Sequence, residues 1–366
     1  MNLRIATFNM ENLFTRPAAM ADDVGPAGTA AIAHHAELNG TVEKPSYSAA
    51  DKARLIALDL IYGFSRLNPP SNALIKLDKI RGRLFSTSQQ GVVTVVANGR
   101  GDWTGWFSLL ANNVAWAATY NTGRVIAEVD ADILVCIEVE NRPTVKRFNK
   151  QVLGAEFDKS YPHIMVIDGN DDRGIDVGLL SKFPILAVKS HVDDLNPNGE
   201  FTFSRDCPEY LVELPGGHAV VILPNHFKSK RGGNNPAAQT KRRLQAEGAA
   251  RIARHAAAST PMVLVAGDLN DTPNSPMLAA LFADGYVDVQ SHVTYPTDRP
   301  GTFGTRTAAN KIDYLIMSPA LEAKLVGAGI ERRGSFHPQS WVPFDTVHSA
   351  ADEASDHHLV WADFTL

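Results

Sequence analysis

The chain of 366 residues holds two cysteines, Cys136 and Cys207, far apart and in no C-x-x-C pair. That scarcity excludes a thiolate zinc centre and gives no basis for a disulfide framework. Cys136 lies in the apolar run Asp132-Ile133-Leu134-Val135-Cys136-Ile137 and reads as a core residue. Long hydrophobic runs are missing as well. Nothing approaches the ~18 consecutive apolar residues of a membrane span, so no membrane partner is expected. The start, Met1 to Phe8, is interrupted by Asn9, Glu11 and Asn12. It makes a poor secretory leader and a good strand, which leaves the cytoplasm as the expected location. An excess of positive charge is absent too: the net charge of -5 and pI near 6.2 exclude a protein that coats nucleic acid by bulk charge, though not a local basic cleft. Hydrophobic and charged fractions of 44% and 20% are those of a globular chain able to bury a sizeable core.

What is present organises itself around Val263-Leu264-Val265-Ala266-Gly267-Asp268-Leu269-Asn270. The apolar run reads as a strand buried on both faces, and Gly267 lets the backbone turn sharply. On an extended backbone Asp268 and Asn270, two apart, point the same way, which suits a metal and a phosphoryl oxygen. By itself the segment fits a strand and an Asx turn better.

Other elements follow in order. Leu3–Phe8 predicts a first strand, and Arg16 to about Gly40 a surface loop in which Asn39-Gly40 makes a turn. Residues 48–66 carry apolar groups at helical spacing. Val92–Val96 and Trp103–Leu109 predict two strands of a hairpin closed through Asn98–Gly101. Helices are expected at 112–128 and 236–258, with a short one near 275–283. Strands are expected at 132–137, 163–167, 176–181, 185–192, 218–224, 263–266, 312–317 and 359–364. Between 51 and 83 seven basic residues stand against three acidic ones, a solvated helical face or a nucleic-acid contact. Short strands with a few helices imply one α/β domain over 1–366, built on packed sheets, with an insertion at about 16–111.

Strand ends repeatedly deliver polar groups: Asn9 and Glu11, Glu138, His226, Asp268 and Asn270, Asp313, and finally Asp356 and His357. Loops at strand ends are where a rigid scaffold presents chemistry. Oxygen ligands with two imidazoles and no thiolate suit Mg²⁺ or Mn²⁺ rather than zinc. Arg173 is a plausible phosphate clamp, because a guanidinium binds two oxygens at once.

Taken in order, the segments are Ala6-Thr7-Phe8-Asn9-Met10-Glu11-Asn12-Leu13-Phe14, Ile137-Glu138, Gly174-Ile175-Asp176-Val177-Gly178 and Asn225-His226-Phe227-Lys228-Ser229-Lys230. Gly267-Asp268-Leu269-Asn270, Lys311-Ile312-Asp313-Tyr314 and Ser355-Asp356-His357 complete the set. The series resembles the endonuclease/exonuclease/phosphatase superfamily, in its bacterial nuclease-like branch. The resemblance implies a four-layered α-β-β-α sandwich, two mixed sheets flanked by helices, with a large insertion after the first strand. It implies Mg²⁺-dependent phosphoester hydrolysis, with Mn²⁺ a possible substitute. Glu138 is then the principal metal ligand, helped by Asn9 and Asp356, with Glu11 near or in the shell. Asp268 orients or deprotonates the attacking water, Asn270 holds a phosphate oxygen, His226 stabilises the transition state, and His357 with Asp313 forms a dyad. Two departures stand out: Ile137 precedes Glu138 where the family often has Gln, and the insertion is unusually long.

Lys228, Lys230 and Arg231 beside His226, with the basic 51–83 stretch, would neutralise backbone phosphates. The expected activity is therefore a phosphodiesterase acting on nucleic acid, DNA ahead of RNA and endonuclease ahead of exonuclease. A phosphatase, a lipid or small-molecule phosphodiesterase, and an inactive binding scaffold are the alternatives.

Overall fold

In the computed structural model, β1 (Asn2–Leu13) opens the chain as expected and runs further than the apolar pattern alone required. The structure describes residues 2–13, 25–66, 70, 73–110, 116–230 and 235–366. It separates into two compact units, one of residues 1–14 with 114–366 and the other of residues 15–113.

The second unit begins with α1 (Gly25–Val42) and α2 (Ala49–Tyr62). The predicted loop reaching Gly40 is therefore helix from Gly25 onward. The Gly and Pro content suggested a loop, but Ala-rich sequence favours helix, and Ala31, Leu38 and Val42 are buried along it. Asn39 makes no turn: its side chain accepts from Phe107 N (3.0 Å) and donates to Phe107 O (3.0 Å). Ser48 caps α2 in a reciprocal capping box with Asp51. Four short strands follow: β2 (Ile75–Arg81), β3 (Phe85–Thr87), β4 (Val93–Val95) and β5 (Thr104–Leu109). The expected hairpin between 92 and 109 does not form, because β4 pairs with β3 and β5 with β2. Segment 98–100 is instead held by the 44–47 connection, where Tyr47 N donates to Asn98 O (2.8 Å) and Arg100 N to Lys44 O (3.0 Å). Gly99 permits this, since a Cβ there would sit 2.0 Å from Pro45 O. Trp103, Phe107, Leu55, Leu58 and Tyr62 form a core belonging to this unit.

In the first unit the chain continues with α3 (Trp116–Val129), β6 (Ile133–Val139), α4 (Arg142–Phe148), β7 (His163–Ile167), β8 (Asp176–Ser181) and β9 (Ile185–Lys189). Then come β10 (Glu209–Leu214), β11 (His218–His226), α5 (Pro236–Ala257), β12 (Val263–Asp268) and β13 (Val287–Asp288). The last strands are β14 (Asp313–Met317), β15 (Leu325–Glu331) and β16 (Leu359–Thr365). The expected helix near 275–283 is a 3-10 helix, Pro276–Phe282. Strand β10 alternates buried with more exposed residues and β15 carries three buried residues in a row, and neither was expected from the sequence.

Two six-stranded mixed sheets result, in the orders β15-β16-β1-β6-β8-β7 and β13-β14-β12-β11-β10-β9. Strand alternation builds the layers. Leu3, Ile5, Ile133 and Val135 of one sheet share a core with Tyr210, Ile222, Leu264 and Leu315 of the other. The opposite faces are covered separately: Ala6, Phe8 and Leu134 pack under α3 and α4 through Val125 and Val145, and Val221, Leu223 and Val265 under α5 through Ala246, Ala249 and Ile252. The architecture is the helix–sheet–sheet–helix sandwich the sequence implied. Among the described residues no helix is long and apolar enough to cross a membrane.

Candidate active site

Three polar residues close three neighbouring strands in one row. His226 on β11 stands beside Asp268 on parallel β12, and Asp268 stands opposite Asp313 on antiparallel β14. The apolar runs of β11 and β12 end, and that of antiparallel β14 begins, at the same level of the sheet, so the polar side chain flanking each is delivered to one edge. Gly267 makes this approach possible: its φ is +132°, and a Cβ would meet Asn225 O at 2.1 Å and Ile137 Cδ1 at 3.0 Å. Ile137, the departure noted in the sequence, thus packs beneath the site from the other sheet.

The other sheet contributes through irregularities. Asn9 on β1 is aligned with Ile137 on β6, and the pairing of β6 with β8 shifts between Ile137 and Val139. Glu138 sits at that bulge with φ 60°, and Glu11 has φ 24°. A non-glycine residue there costs about 1 kcal/mol or more. Bulges re-aim side chains, and here the strain turns Glu138 toward the first row.

The groups meet through Asn9, which is fully buried. Its Nδ2 lies 3.2 Å from Glu138 Oε1, 3.5 Å from Asp268 Oδ2 and 3.4 Å from His357 Nε2. His357 Nδ1 is hydrogen-bonded to Asp313, 2.9 Å from Oδ2 and 3.1 Å from Oδ1. That fixes the ring, so Nε2 faces inward, 3.9 Å from both Asp268 Oδ2 and Asp356 Oδ1. Phe303 covers the imidazole at 4.9 Å between ring centres. His226 Nε2 is 3.6 Å from Asp268 Oδ2 and 3.7 Å from Glu138 Oε1. Asn270 does not continue the strand, for β12 ends at Asp268 and Asn270 is left-handed with φ 53°. The turn still joins the pair: Asn270 N donates to Asp268 Oδ1 (2.8 Å) and its Nδ2 to Asp268 Oδ2 (3.0 Å). Glu11 Oε2 accepts from Asp356 N at 3.0 Å.

Burial and crowding set the charges. Burial alone would lower the His357 imidazole, but Asp313, then Asp268 and Asp356, override it and hold it well above its ordinary value. His226 goes the other way, well below its ordinary value, through burial first and then the positive charges of Arg205, His357 and Arg173. One histidine is therefore a cation and the other a neutral ring. Burial raises the Asp268 carboxyl, and the Asp313 and Glu138 charges add to it against the pull of His357. The Asp356 carboxyl is pushed up to about 7, by loss of hydration and then by Glu11 and Glu138, His357 opposing.

Two donor sets could hold a cation. Asp268, Asp313 and His357 offer one ligand atom each within 4.8 Å of one another, yet Asp313 and His357 already satisfy each other. Glu138, Glu11 and Asp356, with the Asn9 amide, are an oxygen-rich group whose mutual repulsion a hard divalent cation would relieve. The second set fits such an ion better.

The basic residues are placed unequally. Arg173 is exposed, and its Nε and Nη2 donate to Asp171 (3.0 and 2.9 Å). Lys228 is exposed, and its backbone N donates to Gln245 Oε1 of α5 at 2.8 Å. Lys230 Nζ pairs with Asp271 at 2.5 Å, and the fully buried Arg242 contacts the same carboxylate at 3.1 Å. Arg231 lies outside the described residues. Two cations escaped the sequence reading. Arg205 is 4% exposed and pairs with Asp171 at 2.9 Å; Lys311 is fully buried, pairs with Asp288 at 3.0 Å and donates to Asp313 O. The Lys-Ile-Asp-Tyr segment was a signal for the second. Arg205 sits in no segment singled out.

A family model described as the endonuclease/exonuclease/phosphatase family matches residues 112–357. The chain belongs to this family. Its members are phosphoester hydrolases. The matched span leaves out β1, with Asn9 and Glu11, which the 15–113 unit separates from the rest. No curated protein sequence matches the chain. Among solved structures, a truncated Caenorhabditis elegans TDP2 is similar at 19% identity and TM-score 0.48, over 68% of this chain and 90% of that one. An endonuclease/exonuclease/phosphatase from Beutenbergia cavernae is similar at 21% and 0.49, over 68% and 66%. The human Nocturnin catalytic domain with bound sulfate is similar at 13% and 0.48, over 69% and 87%.

Proposed function

We propose that this family member is a Mg²⁺-dependent phosphodiesterase that cleaves nucleic acid, DNA in preference to RNA, at internal positions. The observation that carries the reading is the inward-facing Nε2 of His357, held by Asp313 and 3.9 Å from Asp268. A cationic donor and a carboxylate are thereby poised on one small volume. In this reading Asp268 orients and deprotonates the attacking water, while the Asn270 amide holds a non-bridging oxygen. The neutral His226 offers one N–H to the developing charge. His357 supplies a proton or a charged hydrogen bond to the phosphoryl group, with Asp313 keeping the ring in position. Glu138, Asn9, Asp356 and Glu11 would hold the divalent ion, Mg²⁺ or Mn²⁺ in its place. When bound, the ion neutralises the phosphoryl oxygens.

Support for nucleic acid comes from exposed cations: Lys228 and Arg173 in the catalytic unit, and Lys79, Arg81 and Arg83 in the inserted unit. The test is incubation of the protein with supercoiled plasmid, single-stranded DNA, RNA, a model phosphomonoester and sphingomyelin, each with Mg²⁺, Mn²⁺ or chelator. Nicked plasmid that requires metal is expected. Plasmid intact under both metals while the monoester or the lipid turns over would overturn the nuclease reading.

A further inference from the structure

Arg205 has the properties of a ligand-binding arginine waiting for an anion. Its side chain is 4% exposed, and arginine is almost never so enclosed without full pairing. Yet its Nε, 2.9 Å from Asp171 Oδ2, is off-line and has no hydrogen-bond acceptor. Among the described residues its terminal nitrogens donate to no acceptor either. Asp171 does not neutralise it alone, because the same carboxylate takes two bonds from Arg173. Two guanidinium groups therefore meet at this one carboxylate.

The position is built rather than incidental. Arg205 follows Phe203, fully buried against α5. It precedes Asp206, whose Oδ1 accepts from His191 N (2.8 Å) and Cys207 N (2.7 Å). Gly169 lets the facing loop close over it, since a Cβ there would sit 2.9 Å from Arg205 Cα. Its charge is the strongest electrostatic influence on the buried His226 ring after burial itself, and Glu138 and Asp268 act back on it. The same Cβ on Gly169 would lie 3.1 Å from Asp176 Oδ1, and Asp176 pairs with Val139, the residue after Glu138, so Arg205 stands beside the bulge that carries Glu138.

We infer that Arg205, anchored by Asp171, is the principal anion subsite of this cleft and binds the phosphoryl oxygens of the substrate in a bidentate fork. The inference rests on the phosphoester reading above and places Arg205 ahead of Lys230, one of the basic residues expected to contact phosphate, which is tied up by Asp271. The shared chemistry is a tetrahedral phosphoryl anion, from a diester or from a terminal monoester.

The experiment measures binding of inorganic phosphate and of dimethyl phosphate to the full chain in chelator, by calorimetry or phosphorus NMR. Arg205→Ala is expected to weaken the tighter of the two by about ten- to hundredfold, the range for hydrogen bonds to charged groups. Added guanidinium ion should restore part of the loss, and Arg205→Lys should restore less than its charge alone predicts, because the planar fork is gone. Preference for dimethyl phosphate assigns the diester source, and preference for phosphate the monoester. Should Arg205→Ala be unfolded by circular dichroism, Arg205→Lys carries the comparison alone. A folded Arg205→Ala or Arg205→Lys that binds both anions as tightly as the parent overturns the inference. Because no turnover is read, failure of the nuclease proposal leaves this measurement intact.

Discussion

His226 and Asp268 stand side by side on adjacent parallel strands, with Nε2 of the first 3.6 Å from Oδ2 of the second. A buried neutral imidazole and a buried carboxyl of raised pKa are thus held by sheet register rather than by a loop. Sheet register is stiff, so their spacing survives substitution of either side chain.

Asp268→Asn keeps that spacing and an acceptor for Asn270 N. Turnover is expected to fall by about 10²-fold or more, as for loss of a general base. The thermal midpoint should stay the same or rise, since a carboxyl that burial disfavours is gone. Steady-state rates on plasmid and a thermal melt, both in one buffer, check the pair. Full activity in the variant would remove Asp268 from the chemistry.

The dyad predicts an ordered pair of losses. His357→Ala should abolish measurable cleavage, while Asp313→Asn should leave a residue of activity. In the second variant the ring survives but loses the carboxylate that holds it charged. The alkaline-side limb of the rate profile for Asp313→Asn is expected to move to lower pH, because the imidazole that must stay protonated then releases its proton earlier. An unmoved profile would argue against the pairing as the source of the charge.

His226 links stability to acid. Its folded value lies well below the unfolded one of ~6.5, so between the two the unfolded chain binds the extra proton. Stability is then full above pH ~6.5 and declines below it, by up to about 1.4 kcal/mol per pH unit from this group. Urea titrations of the metal-free protein between pH 5 and 7.5 measure the slope, which His226→Asn should reduce.

Asp176 works in the opposite sense. Burial, then the Asp168 and Asp171 charges, raise its carboxyl to about 7 against the Gly169 N–H that it accepts. The folded state keeps a proton that the unfolded state has released, so stability is full below about pH 4 and is lost as pH rises through 7. Asp176→Asn retains the acceptor and is expected to stabilise by about 1–3 kcal/mol at pH 8, with little effect at pH 4. Equal denaturant midpoints for the two proteins at pH 8 would contradict this.

The inserted unit depends on Trp103, fully buried with Nε1 donating to Tyr47 Oη at 2.9 Å. Trp103→Ala should cost about 3–5 kcal/mol in that unit. Limited proteolysis followed by mass spectrometry should then show new cuts between residues 25 and 110. An unchanged cleavage pattern would mean that the core of this unit does not govern its stability.

Sequence by itself determined the sandwich and the order of its polar strand ends. Apolar runs such as Val263–Ala266 and Leu134–Ile137 specify buried strands through local chemistry, and the motif order names the family. Local pattern also misled where composition and structure part: Ala-rich 25–42 is helix, and the 92–109 strands pair with earlier partners rather than with each other. Which strand lies beside which depends on loop closure and packing across long separations, and no short window encodes that. Tertiary structure alone decided that Lys230 is spent on Asp271 while Arg205 is left with an incomplete set of partners. It also decided that one histidine is a cation and the other neutral. Both outcomes follow from burial and from charges brought together across long stretches of chain, 41 residues for Lys230 with Asp271 and 44 for His357 with Asp313, and these exist only once the sheets have packed.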